Sequence, residues 1–531
     1  MTVESAPLPC GGGHFRVCRP ARRHAFNSGG EGADTNDMMR ARPPCPDDCP
    51  PTSASDGAAG SAASPPLRDR LRSRTWPAVV SVIFIAVGMV YMFTWNLLVH
   101  HSHSWAVGGD LWGIYRGAHY VGWGSLGGLY TNGTGVVAFP GMEVLLAPVA
   151  LITWHLHMTE SFLPFTLAHP SVALVLQPIE LVLGSTIVFA SDALAQKLQV
   201  TRRRRIELCV VVGVIAWPTV AVWGHAEDLV ALTFAVYAMV AMLNKRWAAM
   251  GWLLGLGILM QPLVGLMIPL LIGASPAGQR LVLAVRSAVL SVVLVGIAFL
   301  GDAADTYRQV VQHPTPPSVN HATPWAALAP KLTSGAVRTI HGVALVPGLG
   351  HPAITAATAR GAQVVEVSGG PGRMIDVILA VLLGFYVWRH PQPPLRILWL
   401  AAAVLVSRIF FEPVMTPYYL APPLLLCLVM ASRQRGTRFW SAAVIALEVT
   451  VFAYHHLSPW VWWLPVALGA GAVLALGYPT DLATTTGGSG TSDEDVWVPG
   501  DSERPADPVP VGTREPVERR STGRVGEPVL S

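Results

Sequence analysis

The chain has 531 residues, of which 52% are apolar and only 13% charged, and its formal net charge is +4. Soluble domains carry about 25% charged residues, so this deficit excludes a string of soluble domains and points to a polytopic membrane protein. A nucleic-acid surface is excluded too, because the basic residues do not gather on one face. They form short runs between apolar segments: Arg68 to Arg74, Arg202 to Arg205, Lys245 with Arg246, and Arg433 to Arg438. That is the positive-inside pattern of cytoplasmic loops.

Residues 1–75 are rich in Pro, Gly, Ser and Arg with almost no apolar periodicity, the composition of a disordered tail. No short apolar core with a small-residue cleavage site follows Met1, so a secretory signal is not expected, and Met38 or Met39 offers an alternative start. Residues 478–531 read as a disordered acidic tail. The six cysteines are too scattered for a disulfide framework. Cys10, His14 and Cys18, with Cys45 and Cys49, have only loose metal-like spacing. Cys209 and Cys427 fall in apolar segments, where cysteine acts as a small hydrophobe.

Residues 77–99 carry no charge and are long enough to cross a hydrocarbon core of about 30 Å as a helix. With Arg68 to Arg74 before them, their start is expected on the cytoplasmic side. Apolar segments follow near 141–157, 171–195, 206–223, 227–243, 247–260, 262–275, 281–300, 374–388, 395–410, 417–431, 439–455 and 460–477. None has a polar face to give to water. If all of them cross, the run Arg202 to Arg205 lands outside, so either 141–157 or 171–195 is expected to be re-entrant, with Pro148 and Pro178 marking the breaks. The expected architecture is an all-α, polytopic membrane helical bundle over 76–477, with about 12 transmembrane helices. Both tails are then cytoplasmic, and residues 100–140, 223–228, 302–373 and 411–419 lie outside. The loop 302–373 is far longer than ordinary connections. Its first part is rich in Pro, His and aromatics, which favours an ordered cap; the stretch around 361–372 reads as looser. No internal repeat is visible, which weakens an inverted-repeat transporter.

The candidate chemistry lies in these outer stretches. Asp110 either caps the helical pattern that follows it or serves as a general base for a sugar hydroxyl. Tyr115 and Arg116 sit on that amphipathic, aromatic helix. Arg116 either binds a lipid phosphate or places its charge among headgroups. His225, Glu227 and Asp228 interrupt an apolar hairpin, where ionisable groups are functional candidates by default. They also permit a divalent cation without forming a defined metal motif, and no cofactor is expected. His100, His101 and His103 offer a second, weaker ligand set. In the long loop His313, Asn320, His321 and Trp325 suit sugar recognition. Arg373 stands at the mouth of the next helix for a phosphate, Arg408 and Glu412 are spaced to pair with each other, and Tyr418 with Tyr419 fits a substrate wall or an aromatic belt. No P-loop, dinucleotide fingerprint or nucleophile elbow is present.

Asp110, Tyr115-Arg116-Gly117-Ala118, Leu129-Tyr130, Phe139-Pro140 and Ala147-Pro148, followed by the Gly-rich stretch from Trp247 with its central Gln261-Pro262, resemble glycosyltransferase family 87. The family more often has Lys where this chain has Gln261. Its members are GT-C class mannosyltransferases that use polyprenyl-phosphate-mannose. The resemblance implies a GT-C-like fold in the plasma membrane with Asp110 as catalytic base. It also implies a polyprenyl-phosphate sugar as donor and a cell-envelope glycan or glycolipid as acceptor. Membrane lipids are the other expected partners. The competing expectation is a transporter or lipid flippase, which should carry polar groups inside its spans; Glu180, Asp192 and Glu448 are the charges found there.

Overall fold

The computed structural model describes residues 74–480 except 109, 131–135, 137–138, 160–168, 316, 318–319, 333–338, 341–342 and 345–365. The chain divides into units 1–64 and 65–531, and every described residue belongs to the second. The two tails, with Cys10, His14, Cys18, Cys45 and Cys49, lie outside the described residues.

Each apolar segment read from the sequence is helical. The long helices are α1 (Thr75–His100), α2 (Leu111–Gly122), α3 (Gly141–His155), α4 (Ala173–Lys197), α5 (Arg202–Ala221), α6 (Ala226–Leu243) and α7 (Trp247–Met260). A 3-10 stretch, Pro262–Met267, leads into α8 (Ile268–Gly273), followed by α9 (Arg280–Gly301), α10 (Gly370–Arg389), α11 (Pro394–Phe411), α12 (Ala421–Ala431), α13 (Gly436–Phe452) and α14 (Pro459–Leu476). Seven of them (α1, α4, α6, α10, α11, α14 and the stretch Ala277–Gly301 that contains α9) are long and apolar enough to cross a membrane. The described chain is a membrane-embedded helical bundle.

Burial separates the helices into shells. In the apolar window of α6, 83% of residues are buried, against 22% in those of α1 and of Ala277–Gly301. The outer helices expose Val82, Val90, Leu98, Val292 and Leu300. Only a lipid environment removes such continuous apolar surface from water.

The helices share two polar ends. At one end the start of α1, the end of α4 and the start of α5 are tied by ions. Asp192 accepts from Arg74 at 2.6 Å and from both Nε and Nη2 of Arg205 at 2.8 Å. Arg204 stacks on Phe439 at the start of α13, and Arg280 on Trp388 at the end of α10. The basic runs therefore mark a common end of the bundle. The candidate residues gather at the other end of α5, 20 residues or about 30 Å away.

Two expectations about prolines are corrected. Pro148 and Pro178 lie inside continuous helices, α3 and α4, and break neither. The interruption falls at Gln261-Pro262, where Gln261 is extended (φ −149°, ψ 118°) between α7 and the 3-10 stretch. Of the two segments in doubt, α3 is the one that falls short. Its 15 residues span about 22 Å, whereas α4 has 25. The start of α3 lies beside the interrupted helix, and its end packs on α2. Gly141 abuts the backbone of Leu259 and Met260, while Thr153 bonds the Tyr115 hydroxyl at 2.8 Å and Trp154 packs on Trp123.

The start of the long loop is folded onto the bundle, as an ordered cap requires. His321-Ala322 pairs antiparallel with Val414-Met415, and Lys331-Leu332 with Glu366-Val367. Trp325 donates from Nε1 to the Phe410 carbonyl at 2.7 Å, and Thr323 donates to the Glu412 carbonyl at 2.7 Å. Residues 361–365 of the stretch expected to be looser lie outside the described residues.

The Arg74–Asp192–Arg205 cluster yields the first test. Asp192 is 2% exposed, and removing the anion from a buried pair costs about 3 kcal/mol or more. Since Arg74 is partly exposed, Asp192→Ala is expected to cost about 2 kcal/mol. The readout is a lower thermal unfolding midpoint of the detergent-solubilised protein.

Candidate functional site

The site is built where the segment before α2 meets the turn between α5 and α6. Gly108 and Gly224 allow the contact. A Cβ on Gly108 would stand 2.5 Å from the Gly224 Cα, and Gly224 itself has φ +74°. The approach is pinned by the Asp110 N–H, which donates to the Trp223 carbonyl at 3.0 Å.

Asp110 occupies the N-cap position of α2 but makes no side-chain cap hydrogen bond. Its carboxylate instead bonds His225 Nε2 across the chain. The other imidazole nitrogen, Nδ1, bonds the Glu227 carboxylate and lies 3.7 Å from Asp228 Oδ2. Asp228 Oδ1 accepts from Gln261 Nε2 at 3.0 Å, so the interrupted helix supplies a donor to the same cluster. Glu227 and Asp228 occupy the first turn of α6, where helix-dipole attraction favours carboxylates. Burial alone pulls the His225 imidazole down, but the charges of Glu227 and Asp110 outweigh it and hold the pKa well above its ordinary value. Among these three carboxylates the Asp110 side chain is the most open, 22% exposed against 5% for Glu227 and 0% for Asp228.

Aromatic rings carry the site onward. Tyr418 stacks on His225 with centroids 3.6 Å apart and meets Tyr419 edge-on. Trp223 packs on Tyr418 and donates from Nε1 to the Tyr454 hydroxyl at 3.2 Å. The Tyr419 hydroxyl is 3.4 Å from His313 Nε2, and the Arg408 guanidinium lies 3.8 Å from the Tyr419 ring centroid. Arg408 pairs with Glu412 as expected, at 3.1 Å, but Arg373 joins them at 2.6 Å, so one carboxylate bridges two guanidiniums. Burial pushes the Glu412 carboxyl up, and Arg373 and Arg408 together bring it below its ordinary value. Two cations against one anion leave this corner positive.

Five of the sequence-derived candidates thus join one connected surface: Asp110, His225, Tyr418, His313 and Arg373. His321 stands apart. It pairs through the backbone with Met415, and its ring is parallel to Trp462 at 4.3 Å and stacked on His456 at 4.9 Å. Tyr115 is a packing residue, fully buried with its hydroxyl on Thr153. Arg116 sits over Trp112 at 5.6 Å, a contact that belongs to the amphipathic helix.

Sequence reading left three participants out of the site: Gln261, which looked like a family departure, and two buried acids. Glu180, a charge noted within a span, is fully buried, and neither of its carboxylate oxygens has a partner among the described residues. Its electrostatic neighbours are Glu227, His225 and Asp110. Glu143, at the start of α3, is also buried with Oε2 unpartnered and acts on the same Glu227. An acid inside an apolar run was the available signal for both. No family model matches the chain, and neither a curated protein nor a solved structure matches it.

Two outcomes are expected. Gly108→Ala forces Gly224 and the Asp110 segment apart and should cost about 1–3 kcal/mol of stability. Gly296→Ala, with nothing within 4 Å of the new Cβ, should be neutral or slightly stabilising; thermal unfolding of the two variants side by side checks this. Burial and then the neighbouring His456 lower the His321 pKa from 6.5 to about 4. Between those values the unfolded chain binds the proton and the folded chain resists it. This contribution is complete above pH 6.5 and is lost as pH falls toward 4. His321→Gln should therefore flatten the fall in unfolding midpoint across that window.

Proposed function

We propose that the protein is an integral membrane glycosyltransferase. It moves a sugar, with mannose favoured, from a polyprenyl-phosphate donor to a cell-envelope glycan or glycolipid on the extracytoplasmic face of the plasma membrane. The proposed frame is a GT-C-like bundle of about twelve crossings, with the basic end cytoplasmic by the positive-inside rule. One observation carries the reading. The Asp110 carboxylate leaves its capping role for His225, and that pair runs through Tyr418 and Tyr419 into the positively charged corner of Arg408 and Arg373.

A general base and a phosphate cradle side by side match the demands of this reaction. The acceptor hydroxyl oxygen forms a bond to the sugar's anomeric carbon as the bond from that carbon to the phosphate oxygen breaks. Asp110 takes the hydroxyl proton, and His225 holds the Asp110 carboxylate in place. The leaving polyprenyl phosphate carries away the electron pair, and its added charge develops beside Arg373 and Arg408, where guanidinium donors are effective. The prenyl chain stays in the lipid around the exposed apolar helices, and the tyrosines and His313 offer stacking and hydrogen bonds to the sugar.

The transporter or flippase reading draws on a different observation: the interrupted helix at Gln261-Pro262 beside the buried acids Glu180 and Asp228. Discontinuous helices next to buried ionisable groups are features of transport sites. A single assay separates the two. Membranes carrying wild type or Asp110→Asn receive labelled polyprenyl-phosphate-mannose and lipid acceptors. The transferase reading expects product from wild type and a loss of about 100- to 10,000-fold in the variant. Equal transfer by both removes Asp110 as base, and transport of a solute without transfer establishes the second reading.

A further inference from the structure

We propose that His225, Glu227 and Asp228 form a binding site for one divalent cation of the Mn2+ type, with Asp110 as the outer carboxylate that orients the imidazole. This goes beyond the transfer reading and stands on residues that exist whatever the reaction.

The donor set comes first. One ligand atom each from His225, Glu227 and Asp228 can be chosen so that all lie within 4.8 Å of one another. Donors on opposite sides of a cation at bond lengths of about 2.0–2.2 Å are about 4.0–4.4 Å apart, so small side-chain movements close the set. Imidazole nitrogen together with carboxylate oxygens suits a first-row divalent ion better than Ca2+ or Mg2+.

The hydrogen-bond inventory then requires a positive species at this point. A neutral imidazole carries a single N–H. With that proton on Nε2, directed at Asp110, the lone pair of Nδ1 faces the Glu227 carboxylate, and two acceptors meet. A second proton on Nδ1 relieves that one contact. It leaves Glu227 Oε2 and Asp228 Oδ2 buried and without partners, and Asp228 Oδ2 is turned toward the ring, 3.7 Å from Nδ1. A cation between Nδ1 and the two carboxylates satisfies all three. A carboxylate that accepts from the far nitrogen of a metal-bound histidine is the usual outer support of such a ligand, and Asp110 holds that position.

Independent support comes from another helix. Glu180 on α4 is 0% exposed, and neither of its oxygens has a partner among the described residues. Its electrostatic neighbours are Glu227, His225 and Asp110. A buried carboxylate either takes up a proton or meets a cation, and the proposed ion offers Glu180 the second course. Asp110, Glu227 and Asp228 face one imidazole and the Gln261 amide, with Glu180 among their electrostatic neighbours, the acid-rich surroundings in which a dication is held.

The test uses the full-length protein in detergent, stripped with a chelator and titrated with Mn2+ while free Mn2+ is followed by electron paramagnetic resonance. Saturable binding of one ion per chain is expected, with nitrogen hyperfine coupling in the pulsed spectrum of the bound ion. His225→Ala and Asp228→Asn should abolish it. Asp110→Asn should weaken it by about 10- to 100-fold, and Glu207→Gln, at the far end of α5, should leave it unchanged. Absence of saturable binding by wild type, or bound Mn2+ without nitrogen coupling, overturns the proposal. Retention of full affinity in both His225→Ala and Asp228→Asn overturns it too. The pulsed spectrum needs only wild type, so misfolding of a variant does not blunt the test. No donor or acceptor is added, so its outcome is separate from that of the transfer assay.

Discussion

One imidazole joins the two halves of the site. His225 is 115 residues from Asp110 along the chain, yet its two nitrogens reach Asp110 on one side and Glu227 on the other. That bridge depends on a close approach of two backbones that only glycines at 108 and 224 permit. It also depends on α6 being the best enclosed of the seven helices long enough to span, because a mobile or lipid-facing helix would not hold its first turn against water. The central helix therefore serves both as the apolar core and as the platform for the most polar group of residues in the bundle.

Charge is partitioned along the same axis. At one end Asp192 is satisfied by two arginines, and at the other Glu412 is satisfied by two more. Both arrangements leave an excess of positive charge around a single buried anion. The Asp110–His225 cluster is the opposite case, several carboxylates around one imidazole. The two kinds of cluster at the same end meet through Tyr418 and Tyr419. A ligand that spans both would present negative charge to the arginines and a hydroxyl or positive charge to the acids.

The helical segments were legible in the sequence because each is apolar on all sides, and a lipid-embedded backbone must satisfy its own hydrogen bonds. The basic runs also marked a common end, since arginines there stay in contact with water or pair with acids. Finer features were less accessible. Pro148 and Pro178 read as breaks, yet their helices run through, and the break fell at Gln261-Pro262, where the Gln261 side chain bonds Asp228. Asp110 had two readings, the cap favoured by its local position and the base by the family resemblance, because a cap and a base are the same residue type at the same position. The contact with His225 shows that the side chain does not cap, and a pairing across so many residues leaves no trace in local spacing. Arg408 and Glu412 paired as their spacing suggested, while the third member, Arg373, comes from another helix and could only be placed by the fold.

The short helix α12 bears on how the protein is made. All eleven of its residues are buried, so it has no face to offer lipid, and it covers only about 17 Å. A segment of that length is marginal as an independent insertion unit, and helices enter the bilayer in the order of synthesis. The packing of α12 is completed only by α13 and α14, which follow it in the chain and lie against it. Enclosure of α12 is therefore complete only once α14 has been made, and a chain cut short before Leu476 would leave this helix with part of its apolar surface uncovered.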